Sequence, residues 1–126
     1  MPVDWVHGEI AVKGVGFVPE RFHGYRDPNA FRLHVRKSAR INAKRNMWEA
    51  VLLLQVDEKH RVRDLILDDD HLGAELADEV KHADVMSERF NADGSCEVSV
   101  SLPLRRLGEI IGKLKGFDRF MENESA

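Results

Sequence analysis

A single cysteine, Cys96, gives the chain no partner for an internal disulfide, so a folded core has to form without that staple. Cys96 also sits in an alternating apolar pattern, where a thiol acts as a small hydrophobe rather than a nucleophile. Long apolar runs are missing too. The longest, Ala50 to Leu54, is far short of the ~20 residues a membrane-spanning helix needs, which predicts no transmembrane helix. The start, Met1-Pro2-Val3-Asp4-Trp5, lacks a basic region, a hydrophobic stretch and a small-residue cleavage site. That leaves two expectations for location: cytoplasmic if this N-terminus is native, or periplasmic, outer-membrane or secreted if a signal was removed. Charge of one sign is missing as well. The 19 Lys and Arg against 22 Asp and Glu leave a net charge of -3, which gives no global attraction to nucleic acid or to anionic lipid. No internal repeat, low-complexity stretch or linker divides the sequence. With 126 residues and 43% hydrophobic content, one domain spanning 1–126 is expected, with 105–126 as a candidate C-terminal helical tail.

The apolar spacing sets out the elements. Glu9 to Val18 reads as a strand, and Gly14 and Gly16 inside it predict a bulge or a close backbone approach. Pro19 to Pro28 reads as a loop, with Asn29 as the N-cap of the next helix. Phe31, Val35, Ala39, Ala43, Met47, Ala50, Val51 and Leu54 then recur at spacings of three and four, predicting one amphipathic helix from about 30 to 54. The small Ala39 and Ala43 suit close packing on a sheet. Val56 to Asp68 reads as a partly buried strand, and 71–83 as a shorter helix with Asp69 or Asp70 as its N-cap. Val85 to Phe90 and Cys96 to Leu102 read as a hairpin closed by Asn91-Ala92-Asp93-Gly94, because Asp-Gly accepts the positive φ of a tight turn. Beyond it, Leu104, Leu107, Ile110, Ile111 and Leu114 keep a helical period broken by Gly108, Gly112 and Gly116. The order predicts an α+β fold, strand-helix-strand-helix-strand-strand, with an antiparallel sheet of about four strands packed by one long and one short helix.

Two charged patches are the candidate functional residues. Arg32, Arg36, Lys37, Arg40, Lys44 and Arg45 fall within fourteen positions of the long helix, where only Glu49 opposes them nearby. Asp68, Asp69, Asp70, Glu75, Asp78 and Glu79 form an acidic counterpart. Complementary patches favour partner choice and register, so pairing between copies, basic helix to acidic segment, is the expected use. The alternative is a nucleic-acid-binding module using the basic helix 32–45 to neutralise phosphates. A small-ligand carrier with a cavity between helix and sheet is a third reading. No catalytic, cofactor or metal residue is expected. Asp68 to His71 carry donors for a divalent ion, but consecutive carboxylates before a helix are better explained as capping and dipole compensation. His60, His71 and His82 lack zinc-like spacing. Gly14-x-Gly16 has no third glycine leading into a helix, so it is not a dinucleotide fingerprint.

Several motifs converge in order. Gly14-Val15-Gly16 lies in the opening strand; Ala39, Ala43, Arg45 and Glu49 lie on the helix; Asp93, Gly94, Val98, Val100, Pro103 and Leu104 close the hairpin. On these, residues 9 to 104 resemble the LPP-twenty family of bacterial envelope lipoproteins and the related N-terminal domain of the flagellar assembly protein FlgT. Asn42 stands where that family often carries an acidic residue, and no lipid-acceptor cysteine lies near the start. The resemblance implies a non-enzymatic structural or assembly module of the cell envelope, acting by self-association or by docking to envelope partners.

Overall fold

A computed structural model of the chain describes residues 3–17 and 28–112. Its elements run β1 (Glu9–Gly16), α1 (Pro28–Leu52), α2 (Val62–Ile66), α3 (Asp70–Lys81), β2 (Asp84–Phe90), β3 (Cys96–Pro103) and α4 (Leu104–Ile111). The sheet is three-stranded in the order β1-β3-β2, so β3 is central and β1 and β2 are edges. β2 and β3 pair antiparallel, with Val85 opposite Val100 and Phe90 opposite Cys96, and the register shifts between Val85 and Ser87. The α+β class with an antiparallel sheet is as the sequence predicts. The expected loop from Pro19 and the end of the C-terminal tail, Leu114 and Gly116 included, fall outside the described residues.

Chain contacts gather into two compact units, each assembled from separate stretches of sequence. One comprises Met1–Ile10, Trp48–Ala83 and Leu102–Ala126, the other Ala11–Met47 and Asp84–Ser101. No helix among the described residues is long and apolar enough to cross a membrane.

In the second unit, α1 lies close on β1 because neither side offers bulk where they meet. A Cβ on Gly14 would stand 2.1 Å from the Ala43 nitrogen, and one on Gly16 would stand 2.3 Å from the Val35 carbonyl oxygen. The glycines therefore serve a close backbone approach, with Ala39 and Ala43 as the matching small positions. Val35, Ala39, Ala43, Met47 and Val51, spaced by four, are completely buried. Asn29 lies inside α1, which starts one residue earlier with Pro28 at its first position, where the missing N–H costs nothing. On β3, Cys96, Val98 and Val100 are buried, and burial pushes the Cys96 thiol pKa up, leaving it neutral and inert. The hairpin turn is as expected: Gly94 has φ +87°, the only positive φ among the described residues.

The first unit corrects one expectation. Residues 56–68 do not form a second strand. Gln55 and Arg61 make a lone bridge around a turn in which Asp57 Oδ1 accepts from the Lys59 and His60 N–H groups, both at 2.7 Å. Then α2 begins, its entry fixed by Asp64, whose Oδ2 accepts the Arg61 N–H at 2.7 Å. Leu65-Ile66-Leu67 has no alternation, and a short unbroken apolar run does not separate strand from helix. α3 packs on both α2 and α4. Asp69 caps α3 by accepting from the Leu72 N–H at 3.0 Å, and Leu72, Leu76 and Val80 form its buried stripe. α4 carries Leu104, Leu107 and Ile111 inward, runs through the buried Gly108 and ends at Gly112.

Candidate interaction surface

The basic patch of α1 divides into rows of different fate. Arg32, Arg36 and Arg40 form a row spaced by four that faces β2. Arg40 donates from Nε to Glu88 Oε1 at 2.5 Å, and its Nη2 pairs with the same oxygen. Arg36 Nε lies 3.2 Å from Glu88 Oε2, close enough for an ion pair though not aligned for a hydrogen bond. The guanidinium carbons of Arg32 and Arg36 sit 5.3 and 5.9 Å from the centroid of the Phe90 ring. Glu88 and Phe90, two apart on β2 and both half-buried, thus hold three of the six cations within the chain. Neither is visible in the sequence pattern of the helix. The signal that could have found them is that Glu88 shares β2 parity with the apolar Phe90, which places both on one face.

A second row runs Leu33-Lys37-Ile41-Arg45, again spaced by four, and every member is exposed. Leu33 is 61% and Ile41 55% exposed, and Phe17 beside the end of β1 is 66% exposed. Lys37 and Arg45 have no ion-pair partner among the described residues. Ile41 and Arg45 border a groove of about 300 Å³ whose other walls are Val15, Phe17, Ser38 and Asn42.

Alongside this groove the outer edge of β1 is occupied by side chains of α1. The Val15 N–H donates to Asn42 Oδ1 at 2.9 Å, and Asn46 Nδ2 donates to the Lys13 carbonyl at 2.8 Å. Asn46 Nδ2 also stands 3.5 Å from Asn42 Oδ1, linking the two amides. Asn42 Oδ1 thus accepts from both the strand N–H and the neighbouring amide while Asn46 supplies the donor to the strand carbonyl, which gives both side chains a structural role. On the β3 side, Lys13 Nζ lies 3.3 Å from Glu97, and this hydrogen bond, with a smaller Coulomb contribution from Arg89, holds the Glu97 carboxyl below its usual pKa.

The acidic candidates lie in and around α3. Asp68 is exposed in the turn before it, Asp69 is spent on the cap, and Glu79 is half-buried. Glu75 Oε1 lies 2.8 Å from His71 Nε2, and Asp78 lies 3.9 Å from His82 Nδ1. Asp70, Ala74 and Asp78 form an exposed row spaced by four. No cluster of three or more His, Cys, Asp or Glu side chains suited to a metal ion exists among the described residues.

Neither a family model, nor a curated protein, nor a solved structure matches the chain.

Proposed function

We propose that this chain is a non-enzymatic structural or assembly module of the bacterial cell envelope that works by self-association or by docking to partner proteins. The observation that carries the reading is the exposed row Leu33-Lys37-Ile41-Arg45 with Phe17 beside it, an apolar surface set with cations that nothing in the described chain neutralises. Exposed apolar side chains grouped with unpaired charge of one sign are the ingredients of a protein-binding surface, since burial supplies affinity and charge selects the partner. The acidic row on α3 gives the molecule a surface of the opposite sign. The order of the Gly14-Gly16, Ala39-Ala43 and Asp93-Gly94 motifs supports the envelope part of the proposal.

The first test is absolute mass by light scattering after gel filtration, at low and high salt, with the 260/280 absorbance ratio recorded. A defined multimer free of nucleic acid is the expected result. A 14.4 kDa monomer that co-purifies with nucleic acid and loses it in salt would overturn the proposal in favour of the basic helix acting on phosphates.

A further inference from the structure

We infer that the exposed row Lys37-Ile41-Arg45 of α1 docks onto the row Asp70-Ala74-Asp78 of α3 in a second copy of this chain. The inference rests on the self-association reading and names the surfaces that reading leaves open.

The two rows match in spacing, charge and bulk. Lys37 and Arg45 are eight residues apart, as are Asp70 and Asp78, so each pair spans about 12 Å along its helix axis at 1.5 Å per residue. Between the cations stands Ile41, 55% exposed; between the carboxylates stands Ala74, the small residue that leaves room for it. Both rows are i, i+4 ridges, and two such ridges interdigitate at a crossing angle of about -50°, the commonest helix-packing class in globular proteins. In that arrangement Ile41 passes over Ala74 while each cation meets a carboxylate.

Competing partners among the described residues are few. Arg36 and Arg40 are engaged by Glu88, so they contribute little to an intermolecular field, and reversing their charge would damage the fold before it tested an interface. Lys37 and Arg45 carry no such obligation. Asp70 has no ion-pair partner among the described residues, and the contact of Asp78 with His82 is long and exposed, with the histidine charged only when protonated. Isolated surface ion pairs are worth little, so the charges act mainly as selectors of partner and register, with burial of Leu33, Ile41 and Phe17 supplying attraction.

The test uses two double variants, Lys37→Glu/Arg45→Glu and Asp70→Lys/Asp78→Lys, with mass read by light scattering at low salt. Asp69 still caps α3 in the second variant, and circular dichroism checks that both fold. Each variant alone presents like charge on both surfaces and should fall from the wild-type multimer to 14.4 kDa. Mixed one to one they present opposite charge again, and the multimer should return, a rescue that misfolding could not produce. If the wild type is itself a monomer at every concentration, the self-association reading fails and this inference with it. If the wild type is a multimer whose mass survives both variants, self-association stands and these surfaces are the wrong ones. Dissociation by the α1 variant without rescue on mixing would overturn α3 as the occupant.

Discussion

At Gly14 the absence of a single carbon decides how closely a strand and a helix meet. A Cβ there would fall 2.1 Å from one backbone atom of α1 and 2.5 Å from another, and neither can rotate away as a flexible side chain would. Gly14→Ala should therefore cost about 3 kcal/mol, at the upper end of overpacking penalties, read as a lowered denaturant midpoint. A loss below about 0.5 kcal/mol would mean that β1 shifts freely. The hairpin tip offers a second test at this scale. The Asp93 carboxyl accepts the Ser95 hydroxyl at 2.6 Å and the Ser95 N–H at 2.9 Å, and the hydroxyl bond is the larger cause of its lowered pKa. A carboxyl with a depressed folded pKa stabilises the fold fully above its unfolded value of about 3.9, and that contribution is lost as pH falls through the folded value. Amide exchange at Gly94 and Ser95 should accelerate selectively as pH drops below about 4, once intrinsic rates are divided out. Asp93→Asn should remove that pH dependence, and its persistence would exclude Asp93 as the source. The glycines and the Asp-Gly turn were legible because their chemistry is local. Glu88 was not, since its pairing with Arg40 spans 48 positions and depends on which face of β2 meets α1.

Among the elements, β1 and β2 face the same hazard as sheet edges and meet it differently. Unpaired edge groups invite further strands. β1 is covered by the Asn42 and Asn46 amides, whereas β2 carries a register shift after Val85 and the charged Asp84, Glu88 and Arg89. Removing both amides in Asn42→Ala/Asn46→Ala should cost about 1 kcal/mol per lost bond and leave the Val15 N–H and Lys13 carbonyl open to strand addition. The expected outcome is time-dependent light scattering with thioflavin binding at concentrations where the wild type gives neither. A double variant that loses stability yet stays free of fibrils would show that the amides only tie helix to strand. How far elements could be read from sequence depended on the length of their periodic signal. Five buried positions spaced by four make α1 unmistakable. The short run Val62 to Ile66 carries no periodicity of its own, and its helix is fixed by the reach of Asp64 to Arg61, which the strand reading missed.

For the molecule as a whole, the sequence shows where charge of each sign lies but not which charges remain free. Six cations within residues 32–45 suggest a polyanion site, yet Glu88 engages Arg36 and Arg40, which leaves at most the other four, Arg32, Lys37, Lys44 and Arg45, to meet phosphate. Each neutralised phosphate contributes about -0.9 to the slope of log affinity against log salt on duplex DNA. Any binding by the wild type should then be weak, with a slope no steeper than about -4, as four contacts allow. Glu88→Gln frees Arg36 and Arg40 together. It should cost about 1 kcal/mol of stability, as expected for a partly exposed ion pair, while the slope steepens towards about -5. The comparison separates two roles for the same helix. A wild-type slope already near -5, unchanged by Glu88→Gln, would mean that the arginines leave Glu88 for phosphate, and the basic helix would then be a nucleic-acid surface rather than a protein-docking one.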